Sequence, residues 1–358
     1  MENTPYIEIH LDKIERNANY LSGICRKNGI DVWGVTKSTL GDPEVGKAML
    51  SGGCVGLADS RVENLERLRK SLPDVKLLCI RPPGLSKLER MIDVSDVSLQ
   101  SDLRIIEEIS KIAISKNKKH RIIPMVELGD LREGFMPDDF LPALMRISKL
   151  EGVEIGGIGG VLTCLSGVAP SIENMTVLLN FARLAENEFG IRIDKIAGGA
   201  TNTIPMVIDS TLPQGINEFH VGEGIVLGMD VLDRKPIPGC ETDTFVLGAE
   251  VIEVYEKPSV PTGEITQNVF GHSHDFVDKG MQKRAIINVG GQDTGNSLLT
   301  PIQDGVTLID ASSDHTVCDV TDVCEISVGD TLRFVPGYGA LLHLMDSAYI
   351  EKRYIRKL

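Results

Sequence analysis

Paired cysteines are missing from this chain. Its seven cysteines (Cys25, Cys54, Cys79, Cys164, Cys240, Cys318 and Cys324) are odd in number and scattered, and none are spaced C-x-x-C. That excludes a disulfide-framed secreted module and favours a reducing, cytoplasmic compartment. No leader is expected either. The opening "MENTPYIEIHLDKIERN" has no basic stretch ahead of an apolar one, so no secretory signal is expected. No apolar run reaches the roughly eighteen residues of a membrane span. Positive charge is scarce: 37 Lys and Arg against 51 Asp and Glu leave a formal net charge of −14. Nucleic acid and anionic membrane are poor partners for such a surface. What is present is ordinary globular composition over 358 residues, 42% apolar and 25% charged. A chain of that length suits two domains with a core that needs no staple.

The first two-thirds alternate between β-rich runs and helical patterns. Eight strands are expected: Val32–Lys37, Cys54–Ala58, Lys76–Arg81, Val97–Leu99, Ile122–Leu128, Ile155–Leu162, Lys195–Ala197 and Glu218–Leu227. Between them, "RVENLERLRKSL" sets Val62, Leu65 and Leu68 on one side of a helix. "SDLRIIEEISKIAISK" offers Ser101 or Asp102 as its cap, and "IENMTVLLNFARLAENEFG" closes on Gly190. Strands alternating with helices predict βαβ units, and eight of them predict an α/β fold of the (β/α)8 barrel type. After "DRKPIPGCETD" the helical patterns stop, and short strand-like runs separated by Gly, Asp and Pro predict a smaller all-β domain. "YIEIHLD" at the start is strand-like as well and could pair with it. The expected division is 9–232 for the barrel and 1–8 plus 233–358 for the β-domain.

In "VWGVTKSTLGDPEVGKAML" an apolar strand finishes on Lys37, followed by a turn at Gly41-Asp42-Pro43 and a helix from Glu44 to Leu50. Barrels carry their chemistry at the C-terminal ends of strands. A lysine desolvated there loses its proton readily and can attack a carbonyl such as an aldehyde cofactor. A lysine at a strand end is more commonly a solvated charge, and physics alone leaves both readings standing.

Several stretches, in order, resemble the fold-type III pyridoxal-phosphate enzymes, namely alanine racemase and, closer, its ornithine racemase branch. They are "VTKSTLGDPEV", "GLADSRVENLERL", "VELGDLREG", "GGATNTIP", "INEFHVGEGIVLG", "KRAIINVGGQDT", "DASSDHTVCDVTD" and "AYIEKRYI". Together they cover almost the whole chain. The resemblance implies pyridoxal 5'-phosphate held by Lys37, whose amine would also move a proton at the substrate Cα. It implies phosphate contacts from Thr201, Asn202, Gly222, Gly224 and Tyr349, a cofactor-binding place for Glu223, and Arg132 near the cofactor and the substrate carboxylate. It also implies a homodimer in which the β-domain completes the partner subunit's site. The expected reaction is racemisation of a small or basic amino acid, of the ornithine or alanine type.

Three departures from the family pattern stand out. His220 occupies the place of the arginine that family members set against the pyridine nitrogen. The tyrosine that serves the second face of the substrate is absent: its "G-Y-x-D-G" context reads Gly290-Gly291-Gln292-Asp293. Asp293, Asp314, His315 and Cys164 are the candidates to replace it, and "SSDHT" resembles the family's substrate-carboxylate loop. Finally, His272 and His274 in "FGHSHDF" are half of a metal site at most, and no metal is expected. Two other readings stay open, a metal-assisted lyase of D-3-hydroxy amino acids and an inactive homologue that only binds the cofactor.

Overall fold

The computed structural model of the chain describes residues 4–356 except 269, 272 and 274. It forms two compact units, Lys13–Glu241 and the residues up to Asp12 together with those from Thr242 onward. β1 (Tyr6–His10) belongs to the discontinuous unit, and α1 (Leu11–Lys27) follows it.

The Lys13–Glu241 unit begins with β2 (Asp31–Val35), α2 (Pro43–Ser51), β3 (Gly56–Asp59), α3 (Val62–Ser71), β4 (Leu77–Cys79), α4 (Leu88–Val94), β5 (Val97–Gln100) and α5 (Leu103–Ser115). It continues with β6 (His120–Val126), α6 (Pro137–Ile147), β7 (Val153–Ile155), β8 (Ile158–Gly160), α7 (Ile172–Phe189), β9 (Ile196–Ala200), α8 (Ile204–Ile208), β10 (Glu218–Val221) and α9 (Glu223–Leu227). All of its strand pairings are parallel. The order β2-β3-β4-β5-β6-β8-β9-β10 closes back on β2, which makes the expected barrel. β7 and β8 are one barrel strand interrupted at Gly156-Gly157, for both pair with β6. A Cβ on Gly157 would come within 2.3 Å of the Lys195 carbonyl oxygen, so only glycine fits that close crossing.

Local chemistry starts and stops the helices. The Asp42 carboxylate accepts the N–H groups of Glu44 and Val45, with Pro43 at the first helical position of α2. Asp102 caps α5 in the same way. Ser171 and Asn174 form a reciprocal capping box on α7, which ends at Gly190 with φ 66°. Inside the barrel, Trp33, Val35, Ala58, Leu78, Leu99, Ile123, Met125 and Ala197 make one cluster drawn from alternate positions of six strands.

One strand is shorter than the sequence suggested. The apolar run Glu218–Leu227 leaves the sheet after Val221; Gly222 then opens the short helix α9. Periodicity cannot separate a short buried strand from a short buried helix, and the glycine is what divides them.

The other unit holds β11 (Phe245–Pro258), β12 (Met281–Ile287), α10 (Gly291–Thr294), β13 (Leu299–Pro301), β14 (Thr307–Ala311), β15 (Thr316–Asp319), β16 (Thr331–Pro336), α11 (Tyr338–Asp346) and β17 (Glu351–Ile355). Its sheet runs β13-β16-β11-β12-β15-β14 with antiparallel pairings. β1 does join it, antiparallel to β11 and parallel to β17. The expectation of an all-β unit needs correction at α10 and α11. Ala340, Leu341, Leu344 and Met345 are buried at helical spacing, a pattern that was there to be read. No described helix is long and apolar enough to cross a membrane.

Candidate active site

Lys37 begins a single 3₁₀ turn immediately past the end of β2. The residue before it is clamped. Thr36 is fully buried, its N–H donates to the Ala58 carbonyl at 2.9 Å, and its hydroxyl donates to Asp59 Oδ2 at 2.7 Å. Asp59 also accepts from Asn64 Nδ2 and the Arg61 N–H, each at 3.0 Å. Burial pushes the Asp59 carboxyl up, against those donors. Leu40 then turns left-handed at φ 55°, and Gly41 (φ +64°) lies so close to Asn64 that a Cβ would sit 2.8 Å from it. The lysine therefore leaves a rigid strand end, not a loose loop.

β10 supplies the neighbouring wall. His220 Nε2 lies 3.1 Å from Glu218 Oε1. Gly222 follows, where a Cβ would press within 3.3 Å of Val35 on β2. Glu223, first in α9, pairs with Arg234 at 2.8 Å. Burial raises the Glu223 carboxyl, while Arg234 and, more weakly, Lys37 pull it down. The charges of Lys37 and Glu223 therefore feel each other.

β9 delivers three buried polar residues in succession, Thr201, Asn202 and Thr203. Thr201 Oγ1 accepts the N–H of Gly224 at 3.1 Å, which ties the turn after β9 to the start of α9. Asn202 Nδ2 donates to the Leu162 carbonyl and to Thr163 Oγ1, each at 3.0 Å. Thr163 is left-handed at φ 68°, an uncommon posture for a β-branched residue.

Next to it, Cys164 is exposed. The guanidinium of Arg132, ion-paired to Glu133, is within reach of its thiol: burial lowers Arg132, and Glu133 and Cys164 together raise it. A fully buried carboxylate holds that loop, because Asp130 accepts the N–H groups of Cys164, Leu165 and Ser166 at 2.9–3.1 Å.

The discontinuous unit gathers another set. A Cβ on Gly290 would meet the Ser313 carbonyl oxygen at 2.4 Å and the Asp314 and His315 nitrogens at 2.5 Å. The two glycine-rich and serine-rich stretches thus lie in backbone contact, with the Gly291 N–H on Ser312 O at 2.7 Å and the Gln292 N–H on Ser313 O at 3.0 Å. Asp293 is buried and accepts the Ser347 hydroxyl at 2.7 Å. Asp314 accepts from Ser313 at 2.8 Å, and Tyr349 is 70% exposed. Asp293, Asp314, His315 and Tyr349 all belong to this unit, whereas Lys37, Arg132, Thr201, Asn202, His220, Gly222 and Glu223 belong to the barrel. His272 and His274 lie outside the described residues. Among those described, no group of three or more His, Cys, Asp or Glu is arranged to hold a metal.

Residues 9–226 match the family model described as alanine racemase, N-terminal domain. The chain belongs to the alanine racemase family. Along nearly its whole length it is 37% identical to a lysine racemase of Thermotoga maritima, an alignment covering 98% of each chain. It is 38% identical to an ornithine racemase of Acetoanaerobium sticklandii, over 98% of this chain and 99% of that one. Among solved structures it resembles the alanine racemase of Streptomyces lavendulae, with a TM-score of 0.76 at 17% identity, covering 100% of this chain and 98% of that one.

Three residues of this racemase-family barrel escaped the sequence reading: Asp59, Asp130 and Glu218. Asp130 lies inside "ELGDLREG", two residues ahead of Arg132. Glu218 had a visible signal, since it stands two residues from His220 on a strand and so shares its face. Asp59 had none, because its role depends on a partner 23 residues away.

Proposed function

We propose that the chain is a pyridoxal-phosphate-dependent amino-acid racemase acting on a basic amino acid such as lysine or ornithine. The observation that carries this is Lys37, an amine held at the mouth of a parallel barrel by the buried Thr36–Asp59 clamp, in a chain of this family. The relatives named lysine racemase and ornithine racemase support the choice of side chain.

The donor set fits the cofactor. An amine, the buried Thr201 hydroxyl and glycine backbone at Gly222 suit an aldehyde joined to a phosphate. When bound, the cofactor supplies a sink for the electrons of the Cα–H bond. Lys37 Nζ is its attachment point and then holds and moves the proton on one face of Cα. Thr201 and the backbone of Asn202, Gly222 and Glu223 would hold the phosphate end. Arg132 orients the substrate carboxylate through charge-assisted hydrogen bonds. On the second face, Cys164 is the candidate within the barrel, while Asp293, Asp314 and His315 are those of the sheet unit. The working assembly is a homodimer in which the sheet unit serves a partner subunit. Seven free thiols support a cytoplasmic home.

The test is solvent exchange. Protein supplied with pyridoxal phosphate is incubated in D2O with L- and D-lysine, ornithine and alanine. Deuterium at Cα with inversion of lysine or ornithine is the expected result. Exchange with retention, or none at all, removes the racemase reading.

A further inference from the structure

Glu218 and His220 stand two residues apart on β10. Their register partners on β2 are Asp31 and Trp33, and Trp33 belongs to the interior cluster, so the alternation of the strand sends both side chains into the barrel. There His220 Nε2 meets Glu218 Oε1 at 3.1 Å, with the two side chains only 12% and 5% exposed. The neighbouring strands add one more charged pair, Lys195 ahead of β9 and Asp31 on β2, joined at 2.6 Å. Burial works against ionising Glu218, but the hydrogen bond and charge of His220, then a hydrogen bond from Trp33 and the charge of Lys195, outweigh it and hold the carboxyl below the usual glutamate range. An ionised carboxylate can only accept a hydrogen bond. An ionised Glu218 takes its hydrogen bond from Nε2, which leaves Nδ1 for another partner.

We infer that Glu218 is a positioning residue that fixes His220 as the Nε2–H tautomer, so that the imidazole offers Nδ1 to the cofactor's pyridine ring as a hydrogen-bond acceptor. The inference rests on the cofactor reading above and deepens it. An arginine in this position can only donate, which suits an unprotonated ring nitrogen; an acceptor suits a protonated one. A protonated ring is the stronger electron sink, so this barrel would activate Cα differently from an arginine-bearing one.

The test begins without cofactor. Ring-nitrogen correlation spectra of 15N-histidine-labelled apoprotein at neutral pH, with His220 assigned by its loss in His220→Gln, report the tautomer directly. The expected pattern is Nε2–H alone, retained in Glu218→Gln, whose amide oxygen still accepts, and lost in Glu218→Leu. An Nδ1–H pattern, or protonation of both nitrogens, in the unaltered protein overturns the inference even if neither Glu218 variant folds. So does a pattern unchanged in a folded Glu218→Leu. Pyridoxal phosphate labelled at its ring nitrogen is then added. A protonated ring shift in the unaltered protein that moves toward the unprotonated value in Glu218→Leu is expected, and an unprotonated ring in the unaltered protein overturns the acceptor role. Absence of a bound-cofactor absorbance band, with the apoprotein tautomer as expected, would instead sink the cofactor reading and leave the Glu218–His220 pairing intact.

Discussion

The two units hold their candidate residues by different means. In the barrel, buried carboxylates pin the loops: Asp59 anchors the residue before Lys37, and Asp130 anchors the loop that carries Cys164. In the sheet unit, backbone packs on backbone, with Gly290 against the Ser313–His315 segment. The difference follows from topology. Parallel strands end in connections whose N–H groups have no ladder partner, so a side-chain acceptor must be brought to them. Antiparallel strands return beside their neighbours, and their loops meet each other's backbone.

The hardest test of this contrast is catalytic. Lys37→Ala should abolish Cα exchange, by about 10⁴-fold or more, because in the proposed mechanism it removes both the attachment point and one proton carrier. Asp314→Asn, on the sheet unit, should cost far less. Equal losses measured by exchange kinetics would make Asp314 the second-face proton carrier and erase this ranking of the two units. Next in size, Asp130→Ala strands three backbone N–H groups and should cost about 4 kcal/mol in denaturant unfolding. The Cys164–Ser166 amides should lose their hydrogen-exchange protection first.

A smaller effect extends the contrast to the layer between the barrel strands and their helices. His120 is buried against the Ser98 hydroxyl at 2.9 Å, and burial lowers its imidazole from 6.5 to about 4. Its folded value lies below its unfolded one, so the unfolded chain takes up the extra proton between them. Stability is therefore complete above about pH 6.5 and falls as the pH drops toward 4, by up to about 3 kcal/mol. Thermal melts across that window should show the slope, and His120→Gln should flatten it. The smallest effect belongs to the sheet unit: Gly290→Ala should destabilise by about 2 kcal/mol, because the added methyl meets backbone that has no room to yield. A neutral result in the same melts would mean that the two stretches need not touch.

Much of this was readable in one dimension. Asp42-Pro43 announced α2, Gly190 closed α7, and the strand–lysine–turn–helix order placed Lys37 at a barrel mouth. Such signals are local: a cap or a period needs only residues within a turn or two. The run Glu218–Leu227 misled for the same reason, since a strand and a short buried helix look alike over so few residues. Helix α11 was lost between two clear strands although its spacing was regular.

The sequence by itself determined the strand–helix alternation of the barrel, the presence of a sheet unit after it, and the family to which the chain belongs. All of these rest on periodicity and motif order along the chain. Only the tertiary structure decided which carboxylates are buried, that Asp59 serves Thr36, that Asp130 serves the loop of Cys164, and that Glu218 holds His220. Each depends on groups brought together by strand register and closure, and on the loss of water around them, neither of which is written in neighbouring residues.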